Sequence, residues 1–406
     1  MIEIPLIRSS ERKAFKTCQY QWHWAWNEGL VPAMPKASAT WFGGIIHIAL
    51  AEYYTPPGGK DGFTRGRPLL ESWEELSRDA YTTVAGAPYF DDEKEREYYD
   101  AVELGRVMLT EYEKYWGDDG HWEVLMPESR FRANIPYTKD QLKRFLIGDA
   151  SPISGIFPEG KYITTAVGTF DMPVRDHSNG GRIKVVDHKT TNKREDPKHL
   201  EKDDQIGTYM GTGTVALRNA GLIKNDEAID GMVFNYLRKA KPPDNADENG
   251  VIRNKPKKEH YIEAINKATG VESVTSKDSL PTLVGMAEAM KLVVWGEPSK
   301  NQGVPLFWRN EIFRNKHNRL RQVERIAEDA EMMARLRAGE LPLLKSPGEH
   351  CNWCIFTDLC DINESGGDEE QFKKDVFRVQ DMYADHREFA INSKSSVKNK
   401  QETGLR

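Results

Sequence analysis

The chain has 406 residues, 38% of them hydrophobic and 30% charged, with a formal net charge of -6. That length supports two to three domains with ample core, and the slight acidity weighs against a protein that simply coats nucleic acid, since such a partner would need a local basic channel. No run is long or apolar enough to span a bilayer, and the amino terminus lacks a basic stretch followed by an apolar one, so a cytoplasmic protein without membrane partners is expected.

In chain order, Ser9 to Trp26 is predicted helical, with Ser10 a possible cap, Cys18 inside and Trp22, Trp24 and Trp26 packing. Trp41 to Tyr54 forms a second helix. There the small residues Gly43, Gly44 and Ala51 flank His47 and permit close approach to another element. His47 is a core histidine on one reading and a metal ligand on the other. Helices are expected between Pro68 and Tyr115, then a strand from Trp122 to Ile135. Glu128, inside that strand, reads as solvated rather than as a neighbour of a metal.

The central stretch is a predicted β-hairpin. Ile163 to Val174 and Arg182 to Thr191 are rich in β-branched and aromatic residues, and Asn179-Gly180 lies between them as a turn signal. Strand alternation puts Ile183, Val185, Asp187 and Lys189 on one face, with Asp171 on the partner strand. Paired acids suit a hard divalent ion such as magnesium or manganese, and a lysine two residues on suits charge stabilisation on a phosphate. These residues alone leave two readings open: a metal-dependent phosphodiesterase centre or a structural ion pair. The similar triplets Asp92-Glu93-Lys94, Asp196-Pro197-Lys198 and Glu11-Arg12-Lys13 read as solvated helix faces or caps.

A helix is expected from Asp196-Pro197 to about Arg218, with Gln205 and Tyr209 on one face, where they meet a DNA backbone, support the catalytic strand or are simply polar residues of the helix surface. Gly231 to Lys239 is a strand candidate, Pro242 to Lys258 a polar excursion, Phe307 to Phe313 an extended segment. Helices are expected over Thr282 to Trp295, His317 to Ala338 and Gln371 to Glu388, and disorder from Ser393 onward. Arg314, Lys316, Arg319, Arg321 and Arg325 form a basic stretch that faces either phosphates or solvent.

Four cysteines occur, and three of them, Cys351, Cys354 and Cys360, fall in a C-x2-C-x5-C segment. A fourth thiolate can come only from Cys18, and four thiolates suit zinc or a [4Fe–4S] cluster. Such a site ties the first helix to the carboxy-terminal segment.

One early cysteine, Gly-Gly-x-x-His, Gly-x-x-Asp, Asp-x-Lys-Thr, Gln-x-x-x-Tyr and C-x2-C-x5-C follow one another in that order. This series resembles the PD-(D/E)XK nucleases of the RecB type. It is similar to the branch with a cysteine-held iron–sulfur cluster, which includes the AddB nuclease domain and the CRISPR-adaptation exonucleases. The resemblance implies His47, Asp171, Asp187 and the backbone carbonyl of His188 as metal ligands and Lys189 as the catalytic lysine. It implies Gln205 and Tyr209 as DNA-positioning residues, and Cys18, Cys351, Cys354 and Cys360 as ligands of a [4Fe–4S] cluster, with zinc the alternative occupant. Phe170 stands where a literal Pro-Asp motif has proline.

The fold expected is α/β: a restriction-endonuclease-like mixed sheet flanked by helices, plus a helical iron–sulfur region built from both chain ends. The expected division is 1–120 helical, 121–300 nuclease core, 301–365 helical and cluster-bearing, 366–406 tail. The expected activity is a metal-dependent exonuclease acting on DNA ends or single strands in recombination, repair or replication. The chain has no helicase phosphate loop, so any helicase or recombination protein would be a separate partner. A non-catalytic DNA-binding or partner-bridging subunit, or a zinc-stabilised structural protein, remains the alternative.

Overall fold

A short strand β1 (Leu6–Ile7) leads into α1 (Ser9–Thr17). The helix stops at Cys18, whose backbone is extended, and resumes as α2 (Gln19–Trp22) and a single π-turn over His23–Asn27. The continuous helix expected from Ser9 to Trp26 is therefore broken at its cysteine. β2 (Leu30–Pro32), α3 (Thr40–Tyr54), α4 (Leu69–Val84) and α5 (Asp92–Trp116) follow. Asp91 caps α5 by accepting from the Lys94 amide, and Gly105 lets α5 lie against Trp73 of α4.

The central strands are β3 (Trp122–Val124), β4 (Ser129–Pro136), β5 (Tyr162–Phe170), β6 (Met172–Asp176) and β7 (Arg182–Thr191), with α6 (Lys139–Leu146) between β4 and β5. α7 (Asp204–Asn219), β8 (Ile229–Arg238), α8 (Lys258–Thr269), α9 (Leu280–Ala289), β9 (Phe307–Phe313) and α10 (Lys316–Arg337) come next. The chain closes with α11 (Thr357–Ser365), α12 (Glu369–Val376) and β10 (Phe377–Val379).

This computed structural model describes residues 4–33, 40–55, 62–85, 90–146, 160–194, 197–243, 246–300 and 302–387. The loop expected at 152–160 lies almost wholly outside them, as do Asp196 and the carboxy-terminal segment from 388. Contacts divide the chain into two compact units. One is Met1–Thr190, Glu195–Tyr236 and Arg309–Arg406; the other is Thr191–Arg194 and Leu237–Trp308. The second unit has its own small core of Ile265, Val274, Leu283 and Ala287 between α8 and α9.

The class is mixed α/β, as expected, but the strands form more than one sheet. β4 and β1 flank β5, antiparallel and parallel respectively, and a five-stranded sheet runs β3-β6-β7-β8-β9. The single strand expected from Ile163 to Val174 is two strands. The chain bends at Asp171 and passes from one sheet to the other. The strand expected from Trp122 to Ile135 is interrupted at the same level, because β3 pairs with β6 while β4 pairs with β5. The turn between β6 and β7 is where Asn179-Gly180 placed it, with Gly180 and Gly181 at φ 66° and 72°.

α1 and α10 pack on the three-stranded sheet through Phe15, Trp22, Ile135, Ile163, Ile326 and Met333. The Glu11-Arg12 pair is buried rather than solvated. Arg12 bonds Asp329 at 2.6 Å, and Glu11 accepts from Trp22 and Arg337. A second cluster joins the chain ends: Trp24 and Leu30 meet Phe356, Leu359 and Phe377, while β10 pairs with β2. The helix expected from Gln371 to Glu388 thus ends at Val376, because Phe377 enters that strand pair. Among the described residues, no helix is long and apolar enough to cross a membrane.

Candidate active site

The bend at Asp171 frees its carboxylate from the ladder. Asp171 Oδ2 accepts the His188 amide at 2.9 Å and lies 3.3 Å from His47 Nδ1 on α3. α3 comes close to the end of β7 because Gly43 faces Thr190, where a Cβ would stand 3.1 Å from its hydroxyl. Gly43 therefore serves the close approach expected from the sequence, whereas a Cβ at Gly44 would meet nothing within 4 Å.

Glu128 joins this group. It precedes β4 at φ 39°, its amide donating to the Asp171 carbonyl at 2.8 Å. His47, Glu128 and Asp171 each offer a ligand atom, all within 4.8 Å of one another. Glu128 is exposed to solvent, as expected, but it is not a strand residue: it lies in the irregular segment opposite the Asp171 bend, where it is a neighbour of His47 and Asp171. The signal was faint, a single glutamate after Pro127 in a stretch that otherwise alternates as a strand.

Asp187, on β7, is buried and stands outside that trio. Lys189 Nζ lies 2.5 Å from its Oδ2, and Gln205 Nε2 donates to its Oδ1 at 3.3 Å. Gln205 also reaches Tyr209 Oη, which donates to the Thr169 carbonyl at 2.9 Å. This pair braces both acid-bearing segments from one face of α7. Gly168, next to Thr169, makes room for the Phe131 ring, which a Cβ there would meet at 2.7 Å, while Tyr209 would stand in ordinary contact at 3.5 Å. The helix carrying the pair starts later than expected: Pro197–Lys202 is a 3-10 turn, and Asp203 caps α7 by accepting from the Gln205 and Ile206 amides.

The His188 side chain turns to the opposite face of β7. Its Nδ1 accepts from Asn235 Nδ2 at 2.9 Å, and its ring stacks on Tyr54. Burial, then the charges of His47, Arg309 and Lys189, push its pKa down to about 3 against the pull of Asp171, so it is neutral.

The electrostatics of the acids are unbalanced. Burial, then the charge of Asp171, pushes the Asp187 carboxyl up to about 6; burial and Asp171 likewise push Glu128 up to about 7. Burial acts to raise Asp171 too, but His47 outweighs it and holds that carboxyl below its ordinary range. Burial would lower the pKa of His47 and of Lys189; the neighbouring aspartates overcome it and raise both. Three carboxylates facing one imidazole and one ammonium lack positive charge. An all-oxygen and imidazole donor set of this kind fits a hard divalent cation.

The four thiols also gather. Cys354 and Cys360 have their pKa raised by burial, with Cys18 and other thiols of the group adding to it. Cys354 and Cys360 pack against the cluster that joins the chain ends. By contrast, much of the basic stretch after Phe313 is used internally. Arg314 donates to the Glu201 and Asp203 carbonyls, Arg319 lies 3.6 Å from Asp230, and Arg321 pairs with Glu324.

A model of the PD-(D/E)XK nuclease superfamily matches residues 9–361. The chain belongs to that superfamily. No curated protein matches it. Membership points to a nuclease that uses a divalent metal such as Mg2+ or Mn2+ and takes DNA as substrate. In this PD-(D/E)XK chain the matched span covers the Asp171 bend, the Asp187-x-Lys189 strand end, His47 and the cysteines.

The raised carboxyls make the metal-free protein sensitive to pH. An acid whose folded pKa exceeds its unfolded value destabilises the fold once both states are ionised, so the penalty grows as pH rises through the window between them. For Asp187 that window runs from 3.8 to about 6, for Glu128 from 4.5 to about 7. His47, with its pKa raised, adds stability at low pH that is lost as pH rises. All three act in one direction. We expect chelated protein to be more stable near pH ~5.5 than near pH ~8, the Asp187 share of that difference being about 1 kcal/mol because most of its penalty is already present at the lower pH. Asp187→Asn should raise the melting temperature of chelated protein at the higher pH, and magnesium or manganese should stabilise wild type more there than in acid. Melting temperatures that do not vary across the range would refute the imbalance.

Proposed function

We propose that this PD-(D/E)XK protein hydrolyses phosphodiester bonds from DNA ends or along single strands, as an exonuclease in recombination, repair or replication. The observation that carries the reading is the convergence of His47, Glu128, Asp171, Asp187 and Lys189 where the ladder breaks beside the end of β7. A magnesium or manganese ion held by His47, Asp171 and Asp187, with Glu128 and the His188 carbonyl as further donors, supplies charge neutralisation and a nucleophilic water. Lys189 remains protonated beside Asp187, where it orients the attacking water and balances charge growing on the phosphate. Gln205 holds Asp187 and Tyr209 holds the Thr169 carbonyl, so both keep the acids in register while facing the DNA.

In the same reading Cys18, Cys351, Cys354 and Cys360 hold a [4Fe–4S] cluster that staples the first helix to the carboxy-terminal segment. Zinc is the alternative occupant. Any helicase or recombination protein that works with it would be a separate partner.

The test uses end-labelled single- and double-stranded DNA, linear and circular, with magnesium, manganese or chelator. Linear DNA should shorten from an end, circles should survive, and chelator should stop the reaction. Circles cut as fast as linear DNA would remove the exonuclease assignment; no cleavage with either metal would remove the nuclease. The purified protein should be brown, and Cys354→Ser should lose both colour and iron. A colourless protein containing zinc would overturn the cluster.

A further inference from the structure

Beside the catalytic centre lies a cleft of about 560 Å³ between α1, β5 and the start of α7. Its lining includes Arg8, Lys13, Thr169, Gln205, Tyr209 and His386. Gln205 and Tyr209 are thus shared: one face bonds Asp187 and the Thr169 carbonyl, and the same side chains wall the cleft. Anything bound there is a close neighbour of the reacting phosphate.

The cleft is built for an anion. α1 begins at Ser9 and no side chain caps it; the acid of its first turn, Glu11, is buried against Trp22 and Arg337 and does not line the cleft. Arg8, the residue at that cap position, lies over the Tyr383 ring at 5.3 Å, and its Nε has no hydrogen-bond partner among the described residues. His386 is 3% exposed, and its Nδ1 is likewise unpartnered among the described residues. Burial, then the charges of Arg8, Arg130 and Arg132, push the His386 pKa down to about 4 against the opposing charge of Asp385. The acids that also line the cleft are already engaged. Asp203 caps α7, and Asp204 is held by Lys16 at 2.5 Å and by Gln322 at 2.9 Å. Lys13 is exposed at the rim.

Buried polar groups left without partners are rare unless something binds them. We propose that this cleft is a second phosphate subsite, in which the α1 amino terminus, Arg8, Lys13 and His386 hold a phosphate of the DNA strand flanking the bond that is cut. The proposal rests on the nuclease reading above for the identity of the strand. His386 lies beyond residue 361, where the family match ends, so this wall is contributed by a segment outside the matched span.

The test is binding of a fluorescent oligonucleotide to the full chain in chelator, followed by anisotropy. Arg8→Ala should weaken binding about tenfold and Lys13→Ala several-fold, with the salt slope falling by about one for each charge removed. Lys13 is exposed, so its variant reports even if Arg8→Ala fails to fold. Oligonucleotides with a 5′-phosphate and a 5′-hydroxyl separate two sources of the ligand. A loss confined to the phosphorylated strand means that the subsite holds a terminal phosphate, and an equal loss on both means an internal one. With metal added, the preference of the enzyme for an oligonucleotide over thymidine 5′-p-nitrophenyl phosphate should fall about tenfold in Arg8→Ala, chiefly through KM. Wild-type affinity in folded Arg8→Ala and Lys13→Ala would overturn the subsite. Should wild type cut no DNA while binding in chelator still depends on Arg8, the nuclease reading falls and the phosphate site stands.

Discussion

Lys189→Ala should lose about three orders of magnitude in kcat on linear DNA while keeping its fold, as expected for removal of a positioned charge that acts on the transition state. The side chain is placed for little else. Its Nζ is 2.5 Å from Asp187 Oδ2 and 6.0 Å from the centre of the Phe234 ring, and the Asp187 charge raises its pKa against the opposing effect of burial. Its removal also takes away the charge and hydrogen bond that restrain the Asp187 carboxyl, so that carboxyl should rise beyond about 6. The residual activity should then show an acid limb displaced to higher pH. A structural ion pair predicts the opposite balance, a loss of melting temperature with activity little changed. Equal degradation of DNA by wild type and variant would mean a contaminant or another active site. Comparing kcat, its pH profile and the melting curve on the same preparations separates these outcomes.

The parts of this site visible in the sequence are those written into local pattern. Asp187 and Lys189 stand out because an apolar run ends on them, and Asn179-Gly180 marks the turn that brings β6 alongside. His47 stands out because Gly43 and Gly44 precede it, and Gly43 does face β7. Local pattern does not decide between the two readings of Glu128, because its place depends on two ladders breaking at one level, β3 with β6 and β4 with β5. No residue near Asp171 announces that bend. Burial of Glu11 and Arg12 was hidden for a similar reason: their partners, Arg337 and Asp329, lie more than 300 residues away. α8 was missed because Pro242 to Lys258 reads as polar excursion and the few apolar residues beyond it, such as Ile265, pack only within their own small unit. The charge of Cys18 acts on Cys354 and Cys360, and the helix break that presents Cys18 has no signal in the local sequence.

Behind His188 lies a buried charge pair that no local motif reveals, and breaking it should be the costliest single change to stability. Arg309 makes two hydrogen bonds to Asp119, at 2.7 and 2.6 Å, and its guanidinium is sandwiched 3.7 Å from the Trp116 ring centre and 4.2 Å from that of Trp122. Asp119 also accepts from Tyr54 at 2.6 Å, and Arg309 Nε donates to Asn235 Oδ1 at 3.2 Å. Asn235 in turn donates to Tyr112 and to His188 Nδ1. Asp119→Ala leaves the guanidinium buried without its counter-charge, an arrangement that costs about 3–5 kcal/mol. Asp119 sits at φ 49°, so alanine adds backbone strain that asparagine, at home in that region, does not. Asp119→Asn should therefore recover only the smaller, conformational share. Adding Arg309→Leu to Asp119→Ala should restore more, because the stranded charge is gone. Urea denaturation of the two single variants and the double variant measures this directly. The network also reaches the reaction. His188 donates its amide to Asp171, so loosening Asn235 and His188 should lower kcat in Asp119→Asn even under conditions where the variant is fully folded. Asp119→Ala within 1 kcal/mol of wild type would show that the pair contributes little, and that Tyr54 and Asn235 alone hold this face of β7.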